Sequence, residues 1–264
     1  MAEHRRYLTD FRYQIALGLF PDMEVIHKYG DNPSISTTQE TVWNVGGDLV
    51  WLDAATGMEM TCTDNVNGQG QLIEVYGLDE NWTEKTASFA LTGQTPVPIG
   101  NWTSIFRARQ VSAAPDPVGN VYIATDAATY SGGVPQEANL IHALVRFTGD
   151  INSTESCFLQ VPAGHIGILT YFSACMAQAT GSARTADVSI DAAKLAQGAT
   201  VSNPSWTPLS QIDRLQVGTN QPCYTTTYEY PLYFTELTRI EVRAAATAES
   251  EIRADFTIIF VPAS

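Results

Sequence analysis

Residues 71–93, QLIEVYGLDENWTEKTASFALTG, show the strand pattern of this chain most clearly. Apolar and polar residues alternate on both sides of a central segment that carries charge, turn-forming residues and a tryptophan. Because successive side chains of a strand point to opposite faces, this period of two predicts an antiparallel pair of half-buried strands. The pattern sorts the side chains into two faces, with Ile73, Val75, Ala87, Phe89 and Leu91 inward and Glu74, Thr86 and Ser88 outward.

The same alternation returns along the rest of the chain. It is seen in TSIFRARQV, GNVYIAT, CFLQVPAG, HIGILTYFSACMA, LTRIEVRAAA and EIRADFTIIFV, which are separated by turn-rich spacers. Many short strands with such spacers are typical of sandwiches and jelly rolls. Helical patterns are few: residues 3–18 are compatible with amphipathic turns, and DAAKLAQGA from Asp191 predicts one short helix that ends near Gly198. The predicted fold class is all-β.

Two segments interrupt the strand rhythm between residues 126 and 155, namely DAATYSGGVPQEAN and TGDINSTES. Domain boundaries fall in such turn-rich stretches. We therefore predict a short N-terminal arm over residues 1–24, a first β-sandwich or jelly-roll-like domain over 25–135, and a second over 136–264.

The charge of the chain excludes several classes of partner. It has 14 Lys and Arg against 28 Asp and Glu, a net charge of −14. An acidic surface repels phosphate backbones and anionic lipid, which argues against nucleic-acid and membrane binding. The apolar run from Ile15 to Phe20 is too short for an export signal or a membrane span. The classes of partner that are not excluded are proteins and sugars.

The sequence predicts no cofactor or metal. Its four cysteines, Cys62, Cys157, Cys175 and Cys223, have no CxxC spacing and no nearby histidine, so we expect buried free thiols. The loop TDNVNGQGQ crowds Asp64, Asn65 and Asn67 at a glycine-rich turn, but its spacing does not match a calcium loop. An ordinary hairpin tip is the preferred interpretation.

The sequence also carries no catalytic signature. GxSxG, GxxxxGK[ST], HExxH and GxGxxG are all absent, and the four histidines are far apart. We expect a protein that is not an enzyme. A glycan-binding or glycan-cleaving alternative rests on the tyrosines of YTTTYEYPLYF, although tyrosines at alternating strand positions more often pack within a sheet. These tyrosines are Tyr224, Tyr228, Tyr230 and Tyr233.

Two pairs of arginines are candidate contacts with another subunit. Arg107 and Arg109 share one strand face, and Arg239 and Arg243 repeat the pattern with Ile240 and Val242 turned inward. Arginines at i and i+2 can bind carboxylates of a neighbouring chain, but pairing with acidic residues of their own sheet is commoner. Both alternatives stay open.

Aromatic residues supply the remaining contact candidates. Tyr7, Phe11 and Phe20 lie in the arm, whose apolar surface either docks on a partner or packs on its own domain. Trp82 lies at the tip of the 71–93 hairpin, where it is either an interface anchor or, more commonly, tucked onto its own sandwich.

The order of these segments resembles that of virion structural proteins of tailed phages that infect marine bacteria. The resemblance covers most of residues 25–261 and rests on structural motifs: V-x-GLD-x-N, then T-x-x-F-x-L-x-G, then FR-x-x-x-V. It implies a repeated β-sandwich accessory of a capsid or tail and carries over no catalytic residue.

The resulting hypothesis is a non-enzymatic capsid decoration or cement protein. It would be made in the bacterial cytoplasm, bind the outside of the head through the major capsid protein and other virion proteins, and associate with itself as a homotrimer. The alternatives are a tail, neck or fibre component that recognises its partner through aromatics such as Trp206 and Tyr228, and a glycan-binding protein.

Overall fold

The computed structural model describes residues 14–15, 17–66, 69–111, 119–146, 152–178 and 184–263. Most of them lie in strands and in the turns between strands, and Ala138–Leu140 form a short 3-10 helix. The first nine strands are β1 (Glu24–Ile35), β2 (Glu40–Thr41), β3 (Thr56–Cys62), β4 (Gln69–Leu78), β5 (Glu84–Thr92), β6 (Val97–Trp102), β7 (Ser104–Gln110), β8 (Val121–Thr125) and β9 (Tyr130–Ser131). The next nine are β10 (Val134–Pro135), β11 (Ile141–Val145), β12 (Phe158–Gln160), β13 (His165–Gln178), β14 (Thr185–Ala193), β15 (Ser210–Gly218), β16 (Cys223–Phe234), β17 (Arg239–Ala246) and β18 (Ser250–Pro262). The predicted all-β class is confirmed.

The strands form four main antiparallel sheets. Sheet I has the order β1-β18-β13-β16, and sheet II has the order β12-β17-β14-β15 with β2 also paired to β17. Sheet III has the order β11-β8-β3-β6, and sheet IV has the order β5-β4-β7. Strands β9 and β10 make a separate two-residue pair. Antiparallel sheets that bury one face each form layered sandwiches.

Two hydrophobic cores lie between these sheets. The larger contains side chains of sheets I and II, among them Phe172, Val188, Val242 and Phe256, each with no exposed surface. The smaller contains side chains of sheets III and IV, such as Met60 and Val75. Alternate burial along the strands produces both cores, as the period-two pattern predicts.

Three strand pairs cross the predicted domain division at residue 135. β1 pairs with β18 and β2 with β17, so residues before the division join sheets built by the second half. β11, which follows the division, pairs with β8 in sheet III. Two folding units over residues 25–135 and 136–264 stay a prediction.

The hairpin predicted over residues 71–93 is confirmed as β4 and β5. Ile73 pairs with Phe89 and Val75 with Ala87. Ile73, Val75 and Leu91 are buried in the smaller core, and Ala87 and Phe89 pack against it. The hairpin is therefore a rib of sheet IV.

The tip of this hairpin inserts into the larger core. Trp82 is only 4% exposed, adopts a left-handed backbone conformation with φ of 61°, and packs edge-to-face on Trp206 at 5.4 Å between ring centres. Asp79 holds the turn by accepting hydrogen bonds from the backbone N–H groups of Asn81 and Thr83. Trp82 thus joins the two sandwiches and presents no surface for an interface anchor.

Two local predictions are wrong. Residues Asp191 to Ala193 continue β14 instead of starting a helix, because Ala192 and Ala193 are buried between β15 and β17. Strand pairing overrides the helix propensity of the alanines. Cys175 and Cys223 form a disulfide between β13 and β16, whereas Cys62 and Cys157 are free and buried as expected.

Candidate functional site

Strand β17 is buried on both faces. Ile240 and Val242 face the larger core, and on the other side Arg239 is 6% exposed and Glu241 is 1% exposed. The sequence leaves two alternatives open for this charged face, contact with another subunit or pairing within the chain. In the structure the chain segment 40–53 lies over it.

A buried hydrogen-bond network fastens the covering segment to Glu241. The Thr41 hydroxyl donates to its carboxylate at 2.6 Å and the Trp51 indole N–H donates at 2.9 Å. The Nε of Arg243 lies 3.6 Å from the same carboxylate, and its Nη2 donates to Asp48 at 2.7 Å. Burial nevertheless raises the pKa of Glu241 above its ordinary value.

Arg239 is enclosed between two tryptophans. Its guanidinium carbon lies 3.3 Å from the ring centre of Trp206 and 5.4 Å from that of Trp51. The same group donates to the carbonyl oxygen of Leu52 and, at 3.0 Å, to Asp53. Burial lowers the pKa of Arg239 to about 10. The contact candidates Arg239 and Arg243 are thus bound by residues of their own chain.

Strand β16 has the opposite environment. It is an edge strand of sheet I and pairs only with β13 among the described strands. Tyr224, Tyr230 and Tyr233 are 44%, 83% and 65% exposed. Only Tyr228 packs inward, where its hydroxyl donates to Asp213 at 2.7 Å. The preference for sheet packing of these tyrosines is therefore wrong for three of the four.

The register of β16 contains a bulge that includes Tyr230. Leu232 pairs with Leu169 and Thr227 with Tyr171, so residues 228–231 face the single residue Thr170 and bulge from the sheet. The Cys175–Cys223 disulfide crosslinks the first residue of β16 to β13. The tyrosines thus lie on an edge strand that is covalently fixed at its start.

The two arginines of sheet IV have different environments. Arg109 donates to Glu74 through Nη2 at 2.7 Å and through Nε at 2.9 Å, so pairing within its own sheet is confirmed. Arg107 is exposed and forms no ion pair with a described residue. Its guanidinium lies 5.7 Å from the ring centre of Tyr76.

The structure describes only the end of the N-terminal arm. Tyr7 and Phe11 lie outside the described residues, and Phe20 is half-buried. Ile15 is 4% exposed, whereas Leu17 and Leu19 are 62% and 60% exposed. The described end of the arm thus buries Ile15 and leaves Leu17 and Leu19 in contact with water.

A cleft of about 730 Å³ separates β1 from sheet IV. It is lined by six consecutive residues of β1, by parts of β4, β5 and β7, and by Ser153 to Glu155. Burial and the neighbouring carboxylate of Glu24 raise the pKa of Glu84 to about 7. Burial lowers the pKa of Lys28 to about 7, and the charge of Arg107 acts in the same direction. Sequence reasoning missed this cleft, since no local pattern brings β1 next to β5.

The turn at residues 64–66 belongs to the loop whose sequence was compared with a calcium loop above. The Asp64 carboxylate accepts the backbone N–H of Val66 at 2.7 Å, and Asn67 lies outside the described residues. Within the described ranges, no group of three or more His, Cys, Asp or Glu side chains is arranged to hold a metal ion. In the same ranges no helix has the length and hydropathy of a membrane span.

Comparison with known proteins gives no family for this chain. No family model and no curated protein matches it. Similar solved structures include a Bacillus thuringiensis Cry1Da tryptic core variant, with 10% identity over 87% of this chain and a TM-score of 0.18. The chain spans about half of that structure, 53% of its length. The infectious bursal disease virus VP2 subviral particle matches at 7% identity over 91% of this chain and 81% of the other, with a TM-score of 0.12. TM-scores of this size do not establish a shared fold.

Proposed function

We propose that this chain is a non-enzymatic structural protein of a virion, most concretely a decoration or cement protein on the outside of a capsid. The observation that carries the proposal is the exposed tyrosine edge of β16, which is defined by Tyr224, Tyr230 and Tyr233. Tyrosine is enriched in protein–protein interfaces, and an unpaired strand edge offers backbone groups for further pairing.

The remainder of the fold suits a passive role in an assembly. Its large charged network, Glu241 with Arg243 and Asp48, binds the chain to itself. A net charge of −14 keeps assembled particles apart from one another. An oligomer of such sandwiches can strengthen seams between capsid subunits by burying surface across them.

In this proposal the partners are a second copy of the chain, in a homotrimer, and the major capsid protein. The tyrosine edge of β16 supplies the contact between copies. The exposed apolar side chains at the end of the arm, Leu17 and Leu19, suit the contact with the capsid.

The experiment is particle co-sedimentation in a density gradient after expression in the virus-producing host. The full chain is expected to sediment with filled heads. Its removal from the heads is expected to leave the tails attached. Co-sedimentation with isolated tails instead would support the tail, neck or fibre alternative. A chain that stays at the top of the gradient contradicts a virion role.

A second candidate function is glycan binding, which the same three exposed tyrosines favour. Aromatic rings on a protein surface stack on the apolar faces of sugars. A glycan array distinguishes this candidate: saturable binding that is lost in Tyr230→Ser and Tyr233→Ser supports a sugar site, and an array without binding rejects it.

A further inference from the structure

Lys28 lies at the wall of the cleft between β1 and sheet IV. Lys28 is only 6% exposed, yet it is one of the residues that line the cavity of about 730 Å³. Its Nζ donates a hydrogen bond to the carbonyl oxygen of Phe106 and lies 5.8 Å from the ring centre of Phe158. The amine is thus held in place by a backbone oxygen and an aromatic ring.

No carboxylate in the described part of the chain forms an ion pair with this amine. Lys28 forms no ion pair with any described residue, and the charged groups that act on it are Arg107, which is cationic, and Cys157. Cys157 is itself buried, which raises the pKa of its thiol well above the usual value and keeps it neutral. A buried ammonium without a counter-ion is costly, so this environment favours the neutral amine.

We propose that Lys28 is a covalent attachment site for small aldehydes that enter the cleft. The lone pair of the neutral Nζ attacks the carbonyl carbon, a C=N bond replaces the C=O bond, and both protons of the amine leave with the former carbonyl oxygen as water. The product is an imine between Nζ and the aldehyde carbon, and no oxidant or reductant takes part. This inference does not depend on the virion role.

The cleft has the properties that such a site needs. Its volume lies in the range of small-molecule sites, and Tyr76 and Phe106 give it apolar wall area. A neutral lysine amine is the form that attacks carbonyl groups, and burial is a known way to obtain it near neutral pH. The titratable groups that face the cleft or act on Lys28 are Glu24, His27, Tyr29, Tyr76, Glu84, Lys85, Arg107, Glu155 and Cys157.

The chain supplies internal controls, because it contains only two other lysines, Lys85 and Lys194. Lys85 lines the same cleft, but it donates to the Asn101 carbonyl oxygen at 3.0 Å and lies 4.2 Å from the ring centre of Trp102. Lys194 is exposed. At pH 7 an amine with the pKa of Lys28, about 7, is half neutral, whereas an ordinary lysine is neutral in about one molecule in 2,500.

The test is trapping with propionaldehyde and cyanoborohydride at pH 7, followed by peptide mass mapping of the three lysines. We expect the initial labelling rate of Lys28 to exceed those of Lys85 and Lys194 by about tenfold or more, since restricted access offsets part of the difference in neutral fraction. Labelling of the N-terminal α-amine is quantified separately, because this amine also reacts with aldehydes. Labelling of Lys28 at or below the rate of the other two lysines overturns the proposal.

Two further measurements separate a reactive amine from a merely exposed one. The Lys28 rate should rise with pH and level off above about 7, whereas the Lys85 and Lys194 rates should keep rising towards pH 10. Lys28→Met should abolish the fast phase and leave the rates at Lys85 and Lys194 unchanged. A fast phase that persists in Lys28→Met, or a Lys28 rate that rises in parallel with Lys194 up to pH 10, contradicts the assignment.

Discussion

Strands β16 and β17 follow one another in the chain, and their environments are opposite. β16 is rich in tyrosine, yet Tyr230 and Tyr233 are 83% and 65% exposed. β17 alternates charged and apolar residues, yet Arg239 and Glu241 are 6% and 1% exposed. Composition alone would place the aromatic strand inside and the charged strand outside.

Position in the sheets explains the difference. β17 has β14 on one side and β12 and β2 on the other. Trp51 and Asp53 bind the charged side chains on its face. Among the described strands, β16 has a neighbour on one side only. Alternation determines which side chains share a face, whereas distant chain segments determine which face is covered.

The largest expected effect is the loss of the buried carboxylate of β17. Glu241→Ala leaves the donors of Thr41 and Trp51 and the charge of Arg243 without their acceptor. We expect the free energy of unfolding to fall by about 3–5 kcal/mol in urea denaturation. The matched control on β16 is Glu229→Ala, an exposed carboxylate, which should change it by less than about 0.5 kcal/mol. Equal effects of the two variants would remove the contrast between the strands.

The disulfide of β16 should give the next largest effect. Cys175 and Cys223 are 48 residues apart, so their crosslink restricts a long loop of the unfolded chain. We expect Cys175→Ser together with Cys223→Ser to lower the free energy of unfolding by about 2–4 kcal/mol. The matched control is Cys62→Ala, which removes a free thiol and keeps the disulfide, so it should lose stability in dithiothreitol as the wild type does, whereas the double serine variant should not respond. An unchanged unfolding curve of the wild-type protein in dithiothreitol would show that the crosslink does not stabilise β16.

The pH dependence of stability gives a smaller effect that is specific to β17. Burial raises the pKa of Glu241, so the folded state binds more protons than the unfolded state between the ordinary value and the raised one. Stability from this group therefore increases as the pH falls through the raised pKa. We expect the stability difference between wild type and Glu241→Gln to grow between pH 7 and pH 4.5, by about 1.4 kcal/mol per unit of pKa elevation. A difference that shrinks on acidification would show that the ion pair with Arg243 dominates instead.

Much of the fold follows from short-range patterns. The alternation of residues 71–93 predicts β4 and β5 with the correct inward set, because each strand has one face on the smaller core. Arg109 pairs with Glu74 of the neighbouring strand, and such pairing within one sheet is commoner than contact with another subunit. These features depend on residues close in sequence or on adjacent strands.

The features that the sequence did not predict depend on contacts between distant residues. Glu241 meets Thr41 across 200 positions, and Trp82 meets Trp206 from the other sandwich. The Cys175–Cys223 disulfide requires the register of β13 with β16, which cysteine spacing does not contain. The unusual pKa of Lys28 likewise arises from the burial of its amine beside Phe106 and Phe158.

The central claim is that the tyrosine edge of β16, and not the charged face of β17, joins copies of the chain. The most direct test is sedimentation velocity at micromolar concentration on the wild type and on the triple variant Tyr224→Ser, Tyr230→Ser and Tyr233→Ser. We expect the wild type to associate and the triple variant to be a monomer whose free energy of unfolding differs by less than about 0.5 kcal/mol per substitution, since exposed side chains contribute little to folding. A wild type that is monomeric, or a triple variant that associates as strongly as the wild type, would contradict the claim.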